Sequence, residues 1–199
     1  MSKVQVDTID TRSGTSTMQI GSTNTSTINI GVSGDTVNIP SGVTIANAGT
    51  ATGFGETNTP AFAVRLGSNQ TLSNNTLTKI TLDTEDYDTD NAFASNKFTV
   101  PSGKAGKYKI TLNVYWSFGN NESASEIQTH LYKNGSSVQR EWISFNPTGR
   151  MSGAAQTLTM DLSLAVSDYI ELYALGYTGG ASITVVDTQT RMQGFRISS

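Results

Sequence analysis

The sequence of 199 residues contains no cysteine, one histidine and four prolines. Without cysteine, a disulfide framework and a thiolate zinc site are excluded. The single histidine, His130, excludes a histidine-based metal cluster within one chain. Charge is scarce and nearly balanced, at a formal net of −3. No basic surface points to nucleic acid, and no acidic tail is present. No run approaches the roughly 18 consecutive apolar residues of a membrane span, and the opening MSKVQVDTID has no apolar signal core, so no membrane insertion is expected. Helical periodicity is not sustained anywhere.

Aromatic residues are missing from the first 53 positions, and 15 of the 16 lie beyond Pro60. Residues 1–54 hold only five charges (Lys3, Asp7, Asp10, Arg12 and Asp35), while Ser and Thr fill 18 positions. This contrast sets the boundary in AGTATGFGETNTP, a small-residue linker with turn chemistry. The expected organisation is residues 1–54 as one part, 55–59 as linker and 60–199 as a second domain.

Within the first part, Ile20-Gly21, Ile30-Gly31 and Ile39-Pro40 each close a short alternating run, and Val43-Thr44-Ile45 opens another. The period of two in Ile28/Ile30 and Val37/Ile39 predicts strands. Burying one aliphatic yields roughly 1.5–3 kcal/mol, whereas ordering each residue costs about 1–2 kcal/mol of backbone entropy. With one aliphatic in four residues, a single chain cannot offset that cost. Three copies around an axis can, because each Ile or Val then meets two partners. The expectation is a homotrimer, set against the plainer reading of a Ser/Thr-rich tail without structure.

The second part reads as short strands separated by turns: 61–66, 77–82, 97–100, 107–117, 126–133, 137–144, 156–164, 168–175, 182–186 and 191–198. Ten strands in such a length imply an all-β sandwich, most simply a jelly roll. Tyr108, Tyr115, Trp116, Trp142 and Tyr173 exceed what one small interior needs, so some are expected at a threefold interface.

Certain residues in this part carry a resemblance. FTVPSGKAGKYKI, residues 98–110, resembles the Phe…Gly-x-Tyr-x-Phe signature of complement C-one-q globular heads. It departs from that signature by two extra residues and by Ile110 in place of the last aromatic. NTPAFAVRLGSNQTL resembles the opening strand of that family, and Asp86-Tyr87-Asp88 with Asn91-Ala92-Phe93 resembles the segment leading into the signature. Lys133-Asn134-Gly135, Val166-Ser167-Asp168 and Gly194-Phe195-Arg196-Ile197 follow in family order. The resemblance covers residues 60–199 and implies a ten-strand jelly roll of tumour-necrosis-factor type, packed as a trimer. MSKVQVDTIDTRSGTSTMQIGS resembles the starts of virion fibre proteins of tailed phages, including marine and cyanobacterial ones. That likeness implies a trimeric β-structured shaft attached to other virion proteins.

Catalytic constellations are not evident. Ser is so abundant that chance Ser–His–Asp combinations carry no weight, and His130 shares a strand face with Gln128 and Tyr132, as a structural histidine does. Five of the sixteen acids crowd into Asp83, Glu85, Asp86, Asp88 and Asp90, a single acidic loop rather than the two facing carboxylates of a glycosidase. Asp86, Asp88 and Asp90 start like a calcium loop. However, Asn91 replaces the required Gly and Lys97 the bidentate Glu, which leaves only a looser calcium site open. Strand parity gathers the loops 117–125, 145–155 and 176–181 at one tip. There Tyr177 offers a stacking surface, Asn120, Asn121 and Asn146 offer amides, and Arg150 offers a fork of donors, a set suited to a host surface glycan. The expected function is a non-enzymatic, trimeric phage fibre of head or tail. The alternative is a bacterial surface or secreted C-one-q-like binding module with a flexible amino-terminal tail.

Overall fold

A computed structural model describes residues 20–21, 23–24, 26–46, 58–121, 125–146, 151–179 and 183–198. The chain divides into two units, Met1–Ala51 and Thr52–Ser199.

In the first unit, the strands expected between residues 26 and 46 are not formed within the chain. Turns at Ser33-Gly34 and Ser41-Gly42 interrupt the segment. Val32 N donates to Asp35 Oδ2 (2.9 Å), and Asp35 N returns a bond to Val32 O (3.0 Å). Gly31, Gly34 and Gly42 adopt positive φ, the conformation for which glycine carries no steric cost. The eight aliphatics from Ile20 to Ile45 are 44–78% exposed. The physical reason is the one the composition states: a single copy has no second layer to cover them.

The second unit holds thirteen strands among the described residues. They are β1 (Ala61–Leu66), β2 (Gln70–Leu72), β3 (Thr78–Lys79), β4 (Leu82–Asp88), β5 (Phe93–Ala94), β6 (Lys97–Thr99) and β7 (Gly106–Asn121). The remainder are β8 (Glu126–Lys133), β9 (Ser136–Ser144), β10 (Met151–Leu164), β11 (Tyr169–Tyr177), β12 (Ile183–Val185) and β13 (Arg191–Ser198). Sheet A runs β2-β12-β7-β13-β1-β4 with β10 on the other side of β7. Sheet B runs β5-β6-β11-β8-β9 with β3 also on β11. Every pairing is antiparallel. The domain is an all-β, two-layer jelly roll.

Alternation decides which side chains enter the core. Along β7, Tyr108, Ile110, Leu112, Val114, Trp116 and Phe118 point inward and are buried. They meet Ile127 and Leu131 of β8 and Ile170 and Leu172 of β11 in one apolar cluster. Phe62 stacks on Phe98, with ring centroids 4.4 Å apart. Tyr108 and Trp116 therefore belong to the core, whereas Tyr115, Trp142 and Tyr173 lie outside it. At Gln156 the layers are tied by polar bonds. Its Oε1 accepts from Trp116 Nε1 (3.0 Å) and Thr129 Oγ1 (2.7 Å), and its Nε2 donates to Ile127 O and Glu141 O.

Two expectations require correction. The run 77–82 is not one strand: β3 pairs with β11 in sheet B, and after Ile80 the chain crosses to sheet A, where β4 pairs with β1. The acidic segment is accordingly not a loop, because Asp83, Glu85, Asp86 and Asp88 ride on β4 at the edge of sheet A. An edge strand with an exposed face tolerates that charge and is kept from pairing with other chains by it.

The turns are those the chemistry requires. Asn134 and Gly135 both have positive φ (52° and 78°) between β8 and β9, as a two-residue primed hairpin turn demands. Ser95 and Asn96 do the same between β5 and β6. Gly106 opens β7 where a Cβ would lie 2.1 Å from Ser198 O, so the β13 terminus closes against bare backbone.

Candidate functional site

Strand pairing sorts the loops between two ends. Asn134 Nδ2 donates to Asp168 Oδ1 (2.7 Å), Lys133 Nζ reaches Asp168 Oδ2 (2.8 Å), and Ala165 N donates to the same oxygen (2.8 Å). The bonds from Lys133, then Asn134 and the Ala165 N–H, pull the Asp168 carboxyl down to about 2. These turns lie at the end where β1 begins, since β1 meets β13 at Ala61↔Phe195 and β13 closes on β7 at Ser198↔Lys107.

The tip segments meet at the opposite end. Ser125 N donates to Tyr177 O (2.9 Å), Phe145 N donates to Ser125 O (2.8 Å), and Met151 pairs with Asn121. Phe118 and Phe145 pack edge to face at 5.8 Å beneath them. Of the residues singled out in the sequence, Tyr177 is not in a loop but ends β11, opposite Glu126 and 43% exposed. Asn146 is exposed just past β9. Asn120 and Asn121 close β7, their side chains outside the described set, and Arg150 lies outside the described residues. The turn 73–76 joins this end unforeseen. Asn74 Oδ1 accepts from Thr178 N (2.8 Å), and Asn75 N donates to Gly176 O (2.9 Å). Its Ser-Asn-Asn-Thr composition is a turn signal that could have marked it.

The outward face of sheet B carries an aromatic array that the sequence reading did not assemble. Tyr132 and Tyr173 pack at 4.3 Å between ring centroids, His130 lies 6.2 Å from Tyr132, and Lys97 Nζ sits 4.5 Å over the Tyr169 ring. Between these rings, Glu171 is buried and bound by Lys79 Nζ at 2.6 Å. Burial first, then the Glu171 carboxylate and the hydroxyls of Tyr132 and Tyr169, raises the Tyr173 hydroxyl pKa.

Toward the β9 edge this face turns polar. Cross-strand register places Arg140 opposite His130 and Trp142 opposite Gln128. The Arg140 guanidinium carbon is 5.7 Å from the centre of the Trp142 ring. Gln128 Oε1 is 2.8 Å from His130 Nε2 and 3.4 Å from Arg140 Nη1, while Ser137 Oγ lies 3.2 Å from His130 Nδ1. Burial, then Arg140, lowers the His130 pKa, which keeps the ring neutral at pH 7. A neutral ring donates from one nitrogen and accepts at the other, so it links Ser137 to Gln128. This is a structural histidine in a hydrogen-bonded chain. Among the described residues it has no carboxylate partner to orient it as a base.

The acidic residues serve the fold one by one. Asp86 pairs with Arg65 (3.1 Å), Asp83 accepts from Gly67 N (2.7 Å), and Asp88 accepts from Phe93 N (2.8 Å) and Asp90 N (3.3 Å). Asp90 lies 3.8 Å from Lys104 Nζ. Asp86, Asp88 and Asp90 do not converge, and among the described residues no group of three acidic or histidine side chains is placed to hold a metal ion.

Neither a protein-family model nor a curated protein sequence matches the chain. Many solved structures are similar to it, among them the following three. Eiger, a tumour-necrosis-factor protein of S. frugiperda, shares 12% identity at a TM-score of 0.48, over 70% of this chain and 94% of that one. The globular domain of zebrafish complement 1qA protein shares 17% identity at a TM-score of 0.44, over 70% and 98%. Murine APRIL shares 10% identity at a TM-score of 0.49, over 69% and 99%.

Proposed function

We propose that the chain is a non-enzymatic, homotrimeric structural fibre protein of a tailed-phage particle. Residues 1–54 form its anchor and shaft, and the jelly roll forms a knob that meets the host cell. The observation that carries this reading is the row of exposed aliphatics from Ile20 to Ile45, spaced by turns and uncovered within one chain. Three copies about one axis give each of them two partners and exclude water. The knob supports the same assembly. Among the described residues, strands β9 and β10 are unpaired along their outer edges over nine and fourteen residues, and edges that long invite a neighbouring copy. Tyr87, Phe195 and Ile197 add exposed apolar surface on sheet A. At the tip, Tyr177 and Asn146, with the segments bearing Asn120, Asn121 and Arg150, form the surface offered to a host glycan. Weak single contacts gain strength there from multiple knobs.

Light scattering on the purified chain tests the assembly. The expected mass is about 64 kDa, three times the 21.2 kDa chain. A folded monomer at micromolar concentration ends the reading, and cryo-electron microscopy of intact particles locates the fibre on head or tail. A second reading, a bacterial surface or secreted binding module with a flexible tail, is favoured by the absence of strand pairing across residues 26–46. Hydrogen exchange on the oligomer separates the two. Protected amides between Ile28 and Ile45 belong to a shaft, and fully exchanging ones to a tail.

A further inference from the structure

On the outward face of sheet B, Arg140 stands apart from the other cations of that sheet. Lys79 is bound by Glu171, Lys133 by Asp168, and Lys97 lies over Tyr169. Arg140 makes no ion pair among the described residues. It rests near Trp142 and gives one hydrogen bond to Gln128, so most of its five N–H donors stay available. The nearby Glu126 carboxylate is already engaged by the Gln128 amide. Trp142, beside it, is 55% exposed, whereas the chain's other tryptophan, Trp116, is fully buried. A shallow depression lined by His130, Ser137 and Arg140 adjoins them.

We infer that this cluster is a binding site for an acidic saccharide, a pyranose carrying a carboxylate or a sulfate. The sugar's apolar face stacks on the Trp142 ring, and its anion meets the Arg140 guanidinium, whose planar fork matches two oxygens at once. Ser137 and the second amide N–H of Gln128, both held in place through His130, supply hydrogen bonds to ring hydroxyls. The cation–ring contact and the Gln128 bond hold the fork in position before the ligand arrives, which lowers the ordering cost of binding. A neutral sugar finds the same platform without the anion contact. The site lies on a strand face, apart from the loops proposed above to meet a glycan, and does not depend on the phage assignment.

Intrinsic fluorescence of the full chain tests it, because only Trp142 is open to solvent among the two tryptophans. The probes are tetragalacturonate for carboxylates, a heparin-derived tetrasaccharide for sulfates, and cellotetraose as the neutral control. At least one acidic probe is expected to give a saturable change, with affinity at least tenfold above cellotetraose. Arg140→Gln is expected to weaken that probe by roughly tenfold, as loss of one charge-assisted contact does. Calorimetry on Trp142→Ala, where the fluorescent reporter is gone, is expected to show a similar loss. Both side chains are exposed or half exposed, so circular dichroism and particle mass should stay unchanged. Three results would overturn the proposal: no saturable change with either acidic probe, unaltered affinity in Arg140→Gln, or a changed mass in that variant, which would make this face a contact between copies. Loss of binding in Tyr177→Ala but not in Arg140→Gln would leave the tip reading standing and remove this one.

Discussion

Replacing Gln156 by Leu probes the polar tie between the two sheets. Gln156 is only 2% exposed, and the Trp116 ring and Thr129 are fully buried. Leucine keeps most of the side-chain volume, so little cavity opens, but both donors to Oε1 lose their acceptor. A buried donor left without a partner costs about 1–3 kcal/mol. Two of them predict a loss of roughly 2–6 kcal/mol, a large share of the about 5–15 kcal/mol that holds a domain together. Urea unfolding followed by circular dichroism at one fixed protein concentration measures it, since assembly makes apparent stability depend on concentration. A double-mutant cycle isolates the cause. Trp116→Phe removes the indole N–H, so the loss from Gln156→Leu should shrink by about 1 kcal/mol or more in that background. If Gln156→Leu stays within about 0.5 kcal/mol of the parent, these bonds do not hold the layers together and the reasoning fails.

Other substitutions have equally direct outcomes. Gly106→Ala puts a methyl about where Ser198 O now sits, so faster amide exchange is expected along residues 191–198, with the rest of the fold kept. Unchanged exchange there would remove the close-approach argument. The Asp168 carboxyl is held at about 2, below its ordinary 3.8, so its contribution is complete above pH 4 and is lost as pH falls through 2. Asp168→Asn should therefore destabilise the domain by about 1–2 kcal/mol at pH 7 and much less near pH 2; an equal loss at both would refute the linkage. Phe195→Asp, at an exposed position on sheet A, should lower the oligomer mass while circular dichroism of the jelly roll stays intact. A full-size oligomer would exclude that patch from the contact.

The sequence was most legible where a run serves one sheet and is closed by turns. Strands β1, β8 and β13 fall on the bounds expected from alternation alone. Legibility failed where tertiary pairing overrides composition. Five acids in eight positions read as a solvated loop, yet β4 carries four of them because only one strand pairs with it there. The run 77–82 holds no Gly, Pro or other turn residue, and nothing local reveals that the chain changes sheets at Ile80. Strands β2 and β5 are three and two residues long, too short for any periodic signal. The site divides along the same line. Parity placed Tyr177 at the same end as the segments 117–125 and 145–155, because β8 and β11 run antiparallel with Tyr177 opposite Glu126. It did not single out Arg140 and Trp142. Strand β9 is exposed or half exposed on both faces, and a register shift at Leu131/Tyr132 hides which face a given residue takes.

The two outward faces of the sandwich then separate by chemistry. On β7 and β10 the polar side chains consume one another across the strands. Lys109 pairs with Asp161 (2.9 Å), the Thr111 and Thr159 hydroxyls meet at 3.1 Å, and Thr157 donates to Asn113 (2.9 Å). Cross-strand pairs of this kind stabilise the sheet by a few tenths to about 1 kcal/mol each. They leave few donors for a ligand. Beside them on β13, Arg191 and Gln193 lie across from Asn113 and Thr111, while Tyr87, Phe195 and Ile197 expose apolar surface, which another copy of the chain covers at least cost. On sheet B the rings occupy the centre, and at the β9 edge an arginine stands without an ion pair among the described residues. A small polar ligand binds where hydrogen-bonding groups are positioned but not yet used, because each bond it forms must replace one to water. On the readings proposed above, that condition favours assembly on the apolar patch of sheet A and saccharide recognition on the β9 side of sheet B.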